Sequence, residues 1–263
     1  MEIQDSHPRK LSLQSRQKIV DGAMGGLLAD SAMIAHGRGE AFDYLLGERT
    51  TLSASRAIIE ASSRLASAVN PVISVNGNTV LLAGEDAIRV ATVLGCSIEV
   101  NLYYRTPERV SGLISLLEEQ RVAVSSLDPP PGFEGNWPEA VGKVRFLGID
   151  PNFRILGLEG PRSKCTEEGI GLADTILVPL EDGDRCEALV ELGKEVVVID
   201  LNPLSRSSMM ASVTIVDEVS RAFKGILSAL LSGTPSPSEW DNMSVLKEAL
   251  REISKSVGRI PSD

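Results

Sequence analysis

PVISVNGNTVLLAGEDAIRVATVLGCSIEVNL, residues 71–102, contains one complete strand–helix–strand unit. Pro71 precedes a strand-like VISV, residues 85–94 carry helical spacing, and a second strand signal covers 98–102. A helix follows over 107–119. Strand signals return at 144–149, 175–178, 196–199 and 213–216, with a helical segment at 185–192 between two of them. Alternation of this kind predicts a parallel sheet covered by helices. The expected fold is α/β: a mostly parallel, Rossmann-like sheet of about six strands with helices on both faces and an N-terminal helical region.

Outward from that unit, residues 1–70 read as helical. Ile19, Val20, Ala23, Met24, Leu27 and Leu28 recur at helix spacing, as do Ile58, Ile59, Leu65, Ala66 and Val69. The expected division is a helical region over 1–70 packed on the core, an α/β core over 71–232, and a C-terminal helix and tail over 233–263. Residues 233–237 form a turn-rich break, and 245–257 read as an amphipathic helix. Residues 128–140, DPPPGFEGNWPEA, read as an irregular surface excursion, because Pro129, Pro130 and Pro131 remove donors and Gly132 loosens the chain.

The 263 residues suit one large domain, or one domain with a helical attachment, and 43% are hydrophobic, enough for a sizeable core. The longest apolar runs are strand length, so no membrane span is expected. Residues 1–10 are polar with no apolar run behind a basic start, so a signal peptide is not expected and the cytoplasm is the expected location. A net charge of −10 argues against nucleic acid as a partner. Anionic small molecules remain open, since a local arginine cluster or a divalent cation can offset their charge. Cys96, Cys165 and Cys186 are isolated, with only His7 and His36 to join them, so neither disulfide nor structural zinc is expected.

Residues 34–49, IAHGRGEAFDYLLGER, pack His36, Arg38, Glu40, Asp43, Glu48 and Arg49 between three glycines. A core helix would not carry those charges, and a solvated helix would not carry Gly37 and Gly39. The segment therefore reads as a loop approaching an anion, with Arg38 as the grip and His36 as either a proton shuttle or a buried hydrogen-bonding residue. A second pattern recurs where strands should end. Apolar runs finish in Asn101 with Arg105, in Asp150, Asn152 and Arg154, and in Asp200, Asn202 and Arg206, while a fourth ends in Asn76, Gly77 and Asn78. Each alone reads as turn chemistry. Together, with an arginine after three of the four, they point to a binding crevice outside the carboxyl ends of the strands.

Glu181, Asp182 and Asp184 could bind magnesium or an amine, or form a solvated turn with Asp184 capping the next helix. Asp217 and Glu218 fall at a helix start. No GxxxxGK[ST] occurs, and HGRGEAF stops short of GxGxxG because Phe42 takes the last position. A P-loop enzyme or ordinary dinucleotide-binding dehydrogenase is therefore disfavoured.

The strings SHPR and SLQSR, MIAHGRGEAFDYLLGERT, NPVISVNGN, EVNLYYRT, VPLEDGDR, IDLNPLSRSS and TIVDEVSRA resemble, in the same order, the archaeal phosphopantothenate synthetases, or 4-phosphopantoate–β-alanine ligases. The likeness runs from Ser6 to Ala222 and leaves out residues 123–143 and the tail after Phe223. It implies a step of coenzyme A synthesis in which ATP, 4-phosphopantoate and β-alanine give 4'-phosphopantothenate, AMP and pyrophosphate through an acyl adenylate. It also implies a homodimer, for which the apolar helices before Pro71 are the natural contact. By resemblance, ATP is bound at Arg16, Arg38, Asp200, Leu201, Asn202, Arg206, Ser207, Glu218 and Val219, with Glu218 standing where the family pattern has asparagine. To this we add that Arg38 neutralises the triphosphate, that His36 hydrogen-bonds a phosphate or reacting carboxylate oxygen, and that Asn76, Asn78, Asn101 and Arg105 hold phosphopantoate. Magnesium is expected with ATP, its protein ligands unassigned. The competing readings are a non-catalytic ATP-binding regulator and a phosphate-ester isomerase or dehydrogenase on a similar sheet.

Overall fold

The computed structural model describes residues 3–180 and 182–259. Three helices come first: α1 (Lys10–Met24), α2 (Asp30–Leu46) and α3 (Leu52–Ser67). The sheet opens with β1 (Pro71–Val75), α4 (Gly77–Leu94), β2 (Ser97–Val100), α5 (Pro107–Ser125), α6 (Trp137–Gly142) and β3 (Phe146–Leu147). A two-stranded antiparallel ribbon, β4 (Phe153–Arg154) and β5 (Lys164–Cys165), interrupts it. The second half is β6 (Thr175–Pro179), α7 (Gly183–Glu191), β7 (Glu195–Ile199), α8 (Arg206–Met210), β8 (Val213–Ile215), α9 (Val219–Ser232) and α10 (Asn242–Ser254).

The expected six-stranded sheet is present, and all its pairings are parallel in the order β3-β2-β1-β6-β7-β8. The chain winds outward from β1 to one edge, returns to the other side of β1 at β6, and winds outward again. That reversal creates a switch point between β1 and β6, where neighbouring connections leave in opposite directions. Strand side chains alternate between two cores, as the period of two requires. Ile73, Leu177, Val197 and Ile199 join the large cluster under α3, α4, α5 and α9; Val72, Ile176, Val178, Val196 and Val198 join a smaller one with α7. Burial on both faces is why these strands read as unbroken apolar runs.

Several boundaries move for identifiable reasons. Residues 34–46 are not a loop but most of α2. Gly47, at φ 94°, ends that helix with its N–H bonded to the Tyr44 carbonyl, while Glu48 N–H donates to Asp43 O at 2.8 Å. Two internal glycines cost about 1 kcal/mol each in helix propensity; against that cost, Leu46 at the helix end is buried in a cluster with Leu201, Val216 and Leu246. Helix α4 begins at Gly77 instead of residue 85, because Asn76 Oδ1 accepts the Thr79 N–H at 3.0 Å as an N-cap; a non-helical Ala83 kinks it. Strand β3 ends at Leu147, since Gly148, at φ 113°, passes so close to Val100 that a Cβ would lie 2.4 Å from its carbonyl oxygen. Within the segment read as irregular, Asn136 caps the short α6. Its Trp137 is 2% exposed and donates Nε1–H to Val124 O at 3.0 Å. Asp182, not Asp184, caps α7.

Cys96, Cys165 and Cys186 are buried and form no disulfide among the described residues, and burial pushes Cys96 and Cys165 up to about 12. No helix among the described residues is long and apolar enough to cross a membrane.

Candidate active site at the sheet switch point

The carboxyl ends of β1 and β6 are tied together by Asn76. Its Nδ2 donates to Pro179 O at 3.3 Å and Leu180 O at 3.0 Å, while its Oδ1 accepts from Thr79 N at 3.0 Å and Thr79 Oγ1 at 3.1 Å. A carboxamide offers two donors and two acceptor positions, so Asn76 has none left for a ligand. It builds the crevice instead of lining it with free polar groups. Leu180 carries a left-handed φ of 55°, a conformation that costs a non-glycine residue about 1–3 kcal/mol and is held here by the Asn76 bond.

Above this junction lies a cavity of about 1520 Å³, larger than the roughly 300–1000 Å³ that holds one drug-sized ligand. The N-termini of α4 and α9 both reach it, through Gly77 and Asn78 and through Val219 and Ser220. At α4 the N–H groups of Gly77 and Asn78 and the helix dipole favour an anion, whereas at α9 a carboxylate of the chain already takes that place. Glu218 caps α9, accepting Ser220 N at 3.0 Å and Arg221 N at 3.1 Å on its two oxygens; asparagine is also a favoured N-cap residue, with one acceptor oxygen.

Helix α2 forms one wall. His36, Gly39, Glu40 and Asp43 fall at spacings of three, four and seven, so they share a face. Glu40 accepts from Arg9 Nη2 at 2.9 Å, Ser12 Oγ at 2.8 Å and Arg16 Nη2 at 2.7 and 2.9 Å. Burial pushes its carboxyl up, but Ser12, Arg16 and Arg9 outweigh that and hold it below the usual carboxylate range. Asp43 receives both terminal nitrogens of Arg221, whose Nε bonds Asp217 Oδ1 at 2.9 Å; Thr50 Oγ1 closes the chain on Asp217 Oδ2 at 2.5 Å. Burial lowers the proton affinity of the His36 imidazole, against the pull of Glu40 and Glu218 and with help from Arg16. Arg38 is exposed at the cavity and makes no hydrogen bond or ion pair among the described residues, although its charge reaches Asp200.

Of the residues singled out from sequence, His36, Arg38, Asn76, Asn78, Asn101, Leu201, Glu218 and Val219 meet at this cavity. Arg16, Arg105, Asp200, Asn202, Arg206 and Ser207 stand outside its lining. The turn reading holds for much of that set. Asp200 accepts Asn202 N at 2.9 Å and Ser205 Oγ at 2.5 Å, and Asn202 accepts Leu204 N at 3.0 Å, so both carboxyl and carboxamide fold the β7–α8 loop. Burial pushes the Asp200 carboxyl up. Arg206 pairs with Asp184 and Glu187, and Arg105 donates to the carbonyls of Gly148 and Ile149. Asn101 Nδ2 donates to Lys164 O at 2.9 Å. Asn152 and Arg154 brace the ribbon, bonding Glu167 N and Ser163 Oγ.

Three groups were not foreseen. Arg162, from the turn after β4, bonds Asp182 and Asp184, lies 5.3 Å above the Tyr103 ring, and lines the cavity. Its surroundings in sequence, GPRSK, carry no periodicity that would have marked it. Arg185 is 2% exposed at the cavity and donates to Ser74 Oγ at 3.3 Å. Glu99, fully buried in β2, accepts Thr166 N at 2.7 Å and Ile170 N at 2.9 Å; burial pushes its carboxyl up. Glu181 lies outside the described residues. Among those described, no group of three or more His, Cys, Asp and Glu is placed to hold a metal ion.

Residues 53–256 match the model of the phosphopantothenate/pantothenate synthetase family. The chain belongs to that family. It is 48% identical over 223 residues to a 4-phosphopantoate–β-alanine ligase of Thermococcus onnurineus, covering 85% of this chain and 78% of the relative. A protein of the same name from Thermococcus kodakarensis is 49% identical over 221 residues, covering 84% and 77%. One from Methanosarcina mazei is 41% identical over 260 residues, 96% of this chain and 94% of the relative. The family model thus spans the sheet and its switch point, and the M. mazei match takes in α1 and α2 with His36 and Arg38 as well.

Proposed function

We propose that this protein is an ATP-dependent acid–amine ligase of the cytoplasm, a homodimer, that joins 4-phosphopantoate to β-alanine and yields 4'-phosphopantothenate in coenzyme A synthesis. The observation that carries the reading is the cavity at the switch point, where two helix N-termini and Arg38 face a space large enough for a nucleotide and a second anion. The ligase name shared by relatives 41–49% identical gives the substrates.

A carboxylate is a poor acyl donor to an amine. Its oxygen therefore attacks the α-phosphorus of ATP, pyrophosphate leaves, and the amine then displaces AMP from the acyl adenylate. Arg38 and the N-terminus of α4 line the cavity and would meet the phosphate oxygens on which charge builds, held in place before the reaction. Magnesium would enter with ATP, since that ion typically takes its oxygens from phosphates, waters and one or two carboxylates. Phosphopantoate would occupy the β2 side, near Asn101 and Arg162, with Arg105 shaping the adjoining loop. Incubation of the purified protein with all three substrates tests the reading. AMP and pyrophosphate support it; ADP and phosphate point to an acyl phosphate; no turnover returns the protein to the regulatory alternative.

Glu40 would act by positioning Arg16, which it grips through both oxygens. Glu40→Gln should raise the KM for ATP about tenfold, the loss of one charge-assisted bond, with kcat changed much less. An unchanged KM would show that Arg16 is held by other means.

A further inference from the structure

Polar atoms in the wall of this cavity that have no partner among the described residues include Nε2 of His36 and Oδ1 of Asn78, together with Oε1 of Gln120 on α5. Asn78 is 6% exposed, in the first turn of α4, and its Nδ2 donates to the carbonyl of Ala32 on α2 at 3.1 Å. That bond fixes which way the carboxamide points, because only the nitrogen can donate to a carbonyl. Asn78 therefore presents an oxygen. His36 lies one turn beyond Ala32 on the same helix, so both groups belong to one patch of the α2–α4 wall.

An acceptor oxygen is the wrong group for a phosphate or carboxylate, which at neutral pH offer acceptors almost exclusively. It suits an N–H or O–H donor. Among the substrates of the ligase reading, on which this inference rests, β-alanine brings three N–H donors on an ammonium group. That ammonium must lose a proton before its nitrogen can attack. We propose that His36 and Asn78 receive the amino group of β-alanine, Asn78 Oδ1 accepting one N–H and His36 Nε2 taking the first proton. This replaces the sequence-based assignment of Asn78 to phosphopantoate and of His36 to an anionic oxygen. The imidazole suits the task because burial disfavours its charged form. The charged groups that face it are Glu40 on its own helix, Glu218 at the cap of α9, and Arg16 on α1.

The step balances as follows. One proton passes from the ammonium to Nε2, and the freed electron pair forms the C–N bond at the acyl carbon. The tetrahedral centre then expels AMP, which leaves with both electrons of the C–O bond as a dianion. The second nitrogen proton, and the one on His36, pass to solvent.

Phosphopantoate-dependent exchange of pyrophosphate into ATP, run without β-alanine, reads the first half-reaction alone, and amide formation reads both. Hydroxylamine, already unprotonated at neutral pH, captures the acyl adenylate without a base. His36→Ala should slow amide formation about 100-fold or more, the usual range for a lost general base, while exchange and hydroxamate formation persist. It should also abolish the fall of the wild-type kcat/KM for β-alanine toward acid pH. Asn78→Ala should raise the KM for β-alanine about tenfold and leave that for phosphopantoate unchanged. If either variant keeps the wild-type melting transition but loses exchange, the groups serve the acid or the nucleotide, the hydroxyl of phosphopantoate included, and the proposal falls. Full amide formation in His36→Ala also overturns it. If the wild-type protein itself shows no exchange, the adenylate reading fails, an outcome separate from either variant's failure. His36, at a half-buried position, decides the matter should Asn78→Ala not fold.

Discussion

Arg221→Met should destabilise the protein by about 3–5 kcal/mol at neutral pH, the usual consequence of removing one partner from a buried ion pair. Asp43 and Asp217 are 6% and 2% exposed, and Arg221 binds both. Methionine fills much of the volume and leaves two buried carboxylates facing each other. Against a total stability of about 5–15 kcal/mol, this is a large loss. Its pH dependence follows from Asp43. Burial already pushes that carboxyl above its ordinary value, with Asp217 and Glu218 adding and Arg221 opposing. A carboxyl whose folded pKa is raised contributes most below its unfolded pKa and loses that contribution as pH rises through the folded value. Without Arg221 the folded value climbs further, so the variant loses more at neutral pH and recovers relative to wild type as Asp43 takes up a proton. Urea unfolding at two pH values measures this. A stability gap that stays constant or widens between pH 7 and pH 5 would show that the network is not electrostatic in origin.

The same network explains part of what the sequence could and could not disclose. Strand–helix alternation from residue 71 onward was legible because parallel strands are buried on both faces and the helices between them carry their own period. Ile73, Leu177 and Val197 each fell where expected. Helix α2 was not legible as a helix. Its polar face, with His36, Glu40 and Asp43, turns toward a cavity and three arginines from other elements, Arg9, Arg16 and Arg221, and no local rule anticipates partners 178 residues away such as Arg221 for Asp43. The start of α4 was hidden because Asn76, Gly77 and Asn78 are turn-formers that here serve as cap and first turn. At the site, the pattern of Asn or Asp followed by Arg marked the correct end of the sheet, yet for mixed reasons. Asp200, Asn202 and Asn76 spend their side chains on loops and caps and Arg105 and Arg206 on neighbouring groups, whereas Arg38, from the separate segment 34–49, lines the cavity with no bond among the described residues. Arg162 arrives from a turn whose sequence has no feature beyond its own charge.

Arg38→Ala should do the opposite of Arg221→Met: leave stability within about 0.5 kcal/mol of wild type and lower kcat/KM for ATP about 100- to 1000-fold. Both are arginines near the same cavity, and burial and pairing separate them. Arg221 has its charge spent between two carboxylates and holds α2 to the start of α9. Arg38 is exposed, makes no bond among the described residues, and so costs nothing in protein contacts when removed. Its value lies in charge held ready for phosphate oxygens that gain charge as pyrophosphate leaves, which places the loss in the transition state and in kcat as well as KM. Arg38→Lys should recover only part of the rate, since an ammonium keeps the charge but not the two-pronged grip of a guanidinium. Steady-state kinetics alongside thermal melts give the answer. A rise in KM alone, with kcat intact, would make Arg38 a docking group for the nucleotide; a fall in melting temperature matching that of the Arg221 variant would show that its freedom from the fold is illusory.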